Sequence, residues 1–162
     1  MAKKHGGVGT PATVALAQAN IEFTVHTYDH DPADGSFGMK AAAALGLDPH
    51  RVFKTLFVAV DGRLVVGVVP VSGQLDLKAA AAATGGKKAV MADPHEAERA
   101  SGYVVGGISP IAQRKAHPTL LDESALGFPT VFVSGGRRGM DLEIAPGDLV
   151  RATSATVARI GR

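Results

Sequence analysis

The stretch Phe53-Lys54-Thr55-Leu56-Phe57-Val58-Ala59-Val60-Asp61-Gly62-Arg63-Leu64-Val65-Val66-Gly67-Val68-Val69 decides the fold. An apolar, β-branched run meets Asp61-Gly62, a dipeptide suited to the positive φ angles of a two-residue hairpin turn, and a second apolar run carries the chain back. Alternation puts Phe53, Thr55 and Phe57 on one face of the first strand and Lys54, Leu56, Val58 and Val60 on the other. Both faces are apolar, which predicts a central strand covered on both sides. Lys54 then lies beside the core, at the strand's entrance.

Working outward, Thr10-Pro11 reads as an N-cap with proline at the first helical position, opening a helix to about Ala19. Ile21–Tyr28 alternates as a half-exposed strand, and His30–Phe37 is a loop rich in Asp, Pro and Gly. Met39–Leu45 is a second helix, ended by Gly46. Asp48-Pro49 starts a helical turn. Beyond the hairpin, a third helix spans about Asp76 to Ala83 and stops at Gly85-Gly86, followed by a short strand at Ala89–Met91. Asp93-Pro94-His95-Glu96 has the pattern of a capping box with proline at N1, launching a helix that ends near Gly102. Tyr103–Val105, Thr119–Leu121, Thr130–Ser134 and Met140–Ile144 are candidate strands. Gly135–Gly139 is a tight connection, and Ala145-Pro146-Gly147-Asp148 is a turn. Without regular βαβ alternation, this order predicts an α+β fold: one domain, with a mixed, mainly antiparallel β-sheet flanked by short helices.

A chain of 162 residues with 46% hydrophobic side chains supports one domain with its own core. It has no cysteine, so a disulfide framework, a thiolate metal site and a cysteine nucleophile are excluded. Seventeen Lys and Arg against fifteen Asp and Glu give a net charge of +2, compatible with a local basic face but not with a DNA-coating polycation. Met1–Gly9 is polar and glycine-rich, so no secretory leader is expected, and a flexible tail is. No apolar stretch approaches the roughly 20 residues of a membrane helix. A cytoplasmic protein with no membrane and no DNA partner is the expectation.

Among candidate chemical groups, Lys54 stands first. Its ammonium either snorkels out of the strand end, which pattern alone favours, or sits at a pocket rim to hold a phosphate, carbonyl or oxyanion. In Val105-Gly106-Gly107-Ile108-Ser109-Pro110, the paired glycines either present backbone N–H groups to an anion or form a tight turn, the commoner outcome. Ser134-Gly135-Gly136-Arg137-Arg138-Gly139 offers the same choice between a phosphate loop and a hairpin turn with solvated arginines. The six histidines form no recognisable metal motif. There is no G-x-S-x-G elbow, and the glycines fit neither a P-loop nor a dinucleotide fingerprint. No metal and no cofactor are expected.

Taken in order, several segments resemble the YbaK family, free-standing relatives of the editing domain of bacterial prolyl-tRNA synthetases. They are Thr10-Pro11, His26-Thr27-Tyr28-Asp29-His30-Asp31-Pro32, Phe37-Gly38, Val52-Phe53-Lys54-Thr55-Leu56, Gly73-Gln74-Leu75-Asp76-Leu77-Lys78, Met91-Ala92-Asp93-Pro94, Gly102 through Pro110, and Val133 through Gly139. The resemblance runs from Thr10 to about Val150 and is nearest to the branch that hydrolyses cysteine mischarged onto proline tRNA. It implies a tail over residues 1–9, an editing domain over 10–162, and a pocket for the aminoacylated CCA end of tRNA(Pro), with prolyl-tRNA synthetase as a second partner. Carried over, Lys54 holds the terminal adenosine or its phosphate, with Thr55 beside it. Tyr28 and Phe37 shape the aminoacyl and adenine contacts, Gly106 and Gly107 present donors to the carbonyl, and Ser134 and Asp141 line the same site. The resemblance further implies that the substrate's own thiol attacks the ester, which accounts for an enzyme without a nucleophile. Two other readings stay open: hydrolysis of Ala-tRNA(Pro) by water, and a non-catalytic module that binds a nucleotide or an RNA end.

Overall fold

The computed structural model describes residues 9–29 and 37–162. Of the tail expected over residues 1–9 and the loop expected over 30–37, residues 1–8 and 30–36 lie outside the described residues. The elements run α1 (Pro11–Gln18), β1 (Thr24–Thr27), α2 (Phe37–Leu45), β2 (Phe53–Val60), β3 (Arg63–Pro70), α3 (Leu77–Ala83), β4 (Ala89–Met91) and α4 (Pro94–Ser101). β5 (Thr119–Asp122), a 3₁₀ turn (Glu123–Gly127), β6 (Val131–Ser134), β7 (Met140–Ile144), α5 (Pro146–Thr153) and β8 (Thr156–Ala158) complete the chain.

β2 and β3 form the expected hairpin, with Asp61 and Gly62 at φ 49° and 85°. The hairpin is the centre of a five-stranded sheet in the order β4-β2-β3-β5-β8. β2 pairs antiparallel with β3 and β4, whereas β5 runs parallel to β3 and to β8. β1, β7 and β6 make a second, wholly antiparallel sheet. The fold is α+β with mixed, mainly antiparallel sheets.

The two-faced reading of the hairpin holds. Phe53, Phe57, Val66 and Val68 enter the larger core with Val131, Val133, Met140, Leu142 and Ile144 of the second sheet. Val58, Val60, Val65 and Val69 enter a smaller core with Ala80, Ala81 and Ile160 on the opposite face. A strand buried on both sides needs apolar residues at every position, which is why β2 and β3 read as continuous rather than alternating runs.

Three local readings are corrected. Tyr103–Val105 is not a strand: the Tyr103 ring is buried, with its hydroxyl donating to Ile111 O at 2.7 Å, and the Val105 N–H donates to the Glu98 carboxylate at 2.9 Å. Ala145-Pro146-Gly147-Asp148 is not only a turn but the start of α5, with Pro146 at N1 and Arg151 in the last turn. The capping box expected at Asp93 makes no side-chain bond, since a reciprocal box there brings the Asp93 and Glu96 carboxylates together. The box forms instead at Thr10, whose Oγ accepts from Thr13 N–H while Thr13 Oγ accepts from Thr10 N–H. β8 carries no signal in the sequence, because its three residues exist as a strand only through β5.

The two sheets meet at a seam. Val52 forms a parallel bridge with Phe132, whose N–H donates to Arg51 O at 3.1 Å. Outside the seam, Arg51 Nη2 lies 3.2 Å from Glu143 Oε2, Thr130 Oγ donates to the same carboxylate oxygen at 2.6 Å, and His26 Nε2 lies 2.9 Å from Glu143 Oε1. The Arg51 guanidinium and the His26 ring both pack on the Phe132 ring. Glu143→Ala is expected to lower stability by about 1–3 kcal/mol in denaturant unfolding, because it removes the acceptor shared by Arg51, Thr130 and His26. In the Glu143→Ala background, Arg51→Ala should then cost clearly less than it does alone; additive losses in the double-mutant cycle argue against a coupled seam.

Candidate active site

A cavity of about 290 Å³ opens where the seam, the end of β1 and the start of α4 converge. Of the residues singled out from the sequence, Tyr28, Phe37, Lys54, Thr55, Gly106, Ser134 and Asp141 all line it. They come from six separated segments, Gly106 from the turn after α4. Tyr28 follows β1, Phe37 opens α2, Lys54 and Thr55 begin β2, Ser134 ends β6 and Asp141 lies in β7. Cross-strand register explains part of this convergence, since Asp141 pairs with Ser134 on one side and with His26 on the other. Met91, Pro94, Ala97 and Ile108 supply apolar wall.

Gly107 is the exception. It does not line the cavity, and its N–H donates to Val104 O at 2.8 Å, closing a four-residue turn. A Cβ on Gly107 would come within 2.7 Å of the Arg137 backbone, so glycine here permits close chain packing rather than a contact with ligand. Gly106, at φ 89°, is the cavity-facing member. A Cβ on it would lie 2.9 Å from the Phe37 ring.

The turn is clamped by two side chains that the sequence did not single out for this role. Glu98 accepts from Val105 N–H at 2.9 Å, and Arg138 Nε donates to Val105 O at 2.8 Å. The Arg138 guanidinium also lies over the Phe37 ring, 4.9 Å from its centroid. Read as a solvated hairpin arginine, Arg138 is instead half-buried and joins the β6–β7 hairpin to the Gly106 turn and to α2. The available signal was the pairing of two glycine-rich loops, but their contact depends on tertiary structure. Phe37 itself was expected at the end of a loop; it begins α2, which places its ring over Gly106.

The electrostatics of the cavity are uneven. Lys54 is half-buried and has no ion-pair partner among the described residues, and burial lowers its pKa. Such a cation gains most from an incoming anion or oxyanion. Thr55 Oγ is buried without a hydrogen-bond partner. Burial pushes the Asp141 carboxyl up to about 7, against the lowering effect of a hydrogen bond from Tyr28. Burial, and then the neighbouring Asp141 charge, push the Tyr28 phenol up to about 12, so it remains a donor at neutral pH. Among the described residues no histidine lines the cavity, and none of them sets an imidazole base beside Ser134. The geometry offers a cation, hydroxyl donors and a titrating carboxyl around an apolar chamber. Among the described residues it has no Ser–His nucleophilic pair.

Asp141 gives a pH prediction. Its proton is released near pH 4 in the unfolded chain and near 7 in the folded one, so folding retains a proton between those values and stability falls as pH rises through that window. Asp141→Asn, which still accepts from Tyr28, should match wild type near pH 4 and exceed it above pH 7 by on the order of 2–4 kcal/mol. Denaturant midpoints across pH check this, and a difference that does not change with pH contradicts it.

Comparison with known proteins places the chain in a family. The aminoacyl-tRNA editing domain family matches residues 36–152. A chain of Enterococcus faecalis, EbsC, named as a proposed Cys-tRNA(Pro)/Cys-tRNA(Cys) deacylase, is 36% identical over 166 residues, covering 99% of this chain and 98% of that one. A proline–tRNA ligase of Acidithiobacillus ferrooxidans is 34% identical over 101 residues, which is 62% of this chain but 17% of the ligase. A solved structure described as a proposed trans-editing enzyme for prolyl-tRNA synthetase superposes with a TM-score of 0.81 at 27% identity, over 96% of this chain and 99% of that one. The chain therefore belongs to the aminoacyl-tRNA editing domain family.

Proposed function

We propose that this protein is a deacylase that removes cysteine from mischarged Cys-tRNA(Pro) in trans, with the substrate's thiol as the nucleophile. One observation carries this reading: among the described residues the cavity holds a cation and several donors but no activated nucleophile of its own. EbsC, alike along its full length, carries a name that points to the same substrate.

The aminoacylated CCA end enters with its ester near Lys54, whose ammonium holds the terminal adenosine or its phosphate. Tyr28 and Phe37 flank the aminoacyl and adenine groups, Thr55 and Ser134 add hydroxyls, and Gly106 brings its backbone to the carbonyl. The cysteine sulfur attacks its own ester carbon. A C–S bond forms, the ester C–O bond breaks, and the thiol proton ends on the ribose oxygen of the released tRNA. The four-membered thiolactone is then opened by water to free cysteine. Intramolecular attack supplies the proximity that a protein nucleophile would otherwise provide. Donors placed for the developing oxyanion lower the barrier further. Alanine and proline lack the thiol and are spared by chemistry, while pocket size excludes bulky side chains. The setting is the cytoplasm, and prolyl-tRNA synthetase is the partner from which mischarged tRNA arrives.

The test is a deacylation panel of Cys-, Ala-, Ser- and Pro-charged tRNA(Pro), with and without prolyl-tRNA synthetase. Cysteine should be lost fastest, and Lys54→Ala should lower kcat/KM by about a hundredfold or more while the fold remains intact. Fast loss of alanine with cysteine spared would point to the water-attack alternative. Tight binding of Cys-tRNA(Pro) without turnover would favour the non-catalytic module.

A further inference from the structure

We propose that a second cleft, walled by Lys54, Leu56, Leu77, Lys78 and Met91, receives the nucleotide that precedes the terminal adenosine of the RNA end. The inference rests on reading the first cavity as the site of the ester. The second cleft has a volume of about 600 Å³ and shares Lys54, Leu56 and Met91 with the first. A linear ligand seated in the first cavity by its aminoacyl end therefore leaves it across Lys54. In RNA, the group joining the last nucleoside to the one before it is an anionic phosphodiester. The shared lysine meets that link, and the next nucleoside falls into the second cleft.

The lining has matching chemistry. Lys78 and Arg162 are exposed cations, and Leu56, Leu77 and Met91 offer apolar surface against which a base can pack. Gln74 adds an exposed amide, able both to donate to and to accept from a base edge. Asp76 is the carboxylate side chain in this wall, and it is turned inward as the N-cap of α3, accepting from Ala79 N–H at 3.1 Å. It is committed to capping the helix, and the cations Lys54, Lys78 and Arg162 around the cleft outnumber it.

The floor is also in place before any ligand arrives. Gln74 and Arg162 exchange both backbone hydrogen bonds at 2.8 Å, and Asp76 N–H donates to Ile160 O at 2.7 Å. Buried Asp122 anchors the same segment, accepting from Ile160 and Gly161 N–H at 3.0 and 2.7 Å. Burial opposes the charge on Asp122, but hydrogen bonds from Ser124, Gly161 and Ile160 prevail, and its pKa is lowered. A cleft held this way loses little conformational entropy on binding. A wall of lysines and aliphatic groups reads the strand by charge and stacking, a mode tolerant of sequence.

The experiment compares adenosine 5′-monophosphate with the dinucleotide CpA, each titrated into the full-length protein and followed through backbone amide resonances. CpA should bind about tenfold more tightly, in line with one added base contact, and should move the amides of Gln74 to Lys78, which the mononucleotide leaves in place. With the trinucleotide CpCpA, Lys78→Ala should make the slope of log affinity against log salt shallower by about 0.7, the value for one single-strand phosphate contact. Lys78→Glu should weaken binding further, and because Lys78 is exposed both variants should fold. Equal affinities for the two ligands, unmoved Gln74–Lys78 amides, or an unchanged salt slope would overturn the cleft. Protein that binds CpA here yet never releases cysteine keeps the cleft and overturns the proposed activity. Protein that deacylates while these amides ignore CpA does the reverse.

Discussion

The parallel bridge between Val52 and Phe132 is the contact on which the site depends. It joins two sheets that otherwise have separate hydrogen-bond ladders, and it does so one residue before β2 begins. Lys54 and Thr55 follow directly on one side of the seam, while Ser134 and Asp141 occupy paired positions on the other. The seam therefore fixes the spacing between the cation and the titrating carboxyl. Its outer surface is held by the Arg51–Glu143–Thr130–His26 cluster and by α2, whose Ala42 packs with Val52, Val71 and Phe132. A bridge of one residue pair is weak alone. Here it is covered on one side by charged hydrogen bonds and on the other by the larger core.

The hairpin was legible because β2 and β3 are apolar on both faces and joined by Asp61-Gly62, so local preference and burial agree. Their bounds follow directly from that pattern. β8 and the true role of Tyr103–Val105 were not legible, because neither is decided by its own residues. β8 is made by a parallel partner, and the Val105 backbone is claimed by Glu98 and Arg138 from distant segments. α5 is a different case. Pro146, Asp148 and Arg151 are ordinary helix signals, but Gly147 weighed towards a turn when read alone.

The site follows the same division. Lys54 was readable as an anomaly, a cation at the mouth of a doubly apolar strand, although pattern alone preferred the bland explanation. Gly106 and Gly107 looked equivalent in the sequence and are not. One faces the cavity beneath Phe37, and the other lets the β6–β7 hairpin approach. Nothing local distinguishes them, since the difference lies in which neighbour each one meets.

The arrangement also explains why a cavity with two hydroxyls and a carboxyl need not perform nucleophilic catalysis itself. The Asp141 carboxyl is turned towards Tyr28, a weak acid made weaker by burial, and among the described residues no imidazole lines the cavity to relay a proton to Ser134. In the proposed reaction the chamber's part is to orient and polarise a bound ester. In such a chamber the reaction is chosen by what the substrate brings: a side chain with an internal nucleophile at the right reach reacts, and one without it leaves unchanged. The absence of cysteine from the chain fits the proposed reaction, in which the attacking thiol belongs to the substrate and no protein thiol competes for the carbonyl.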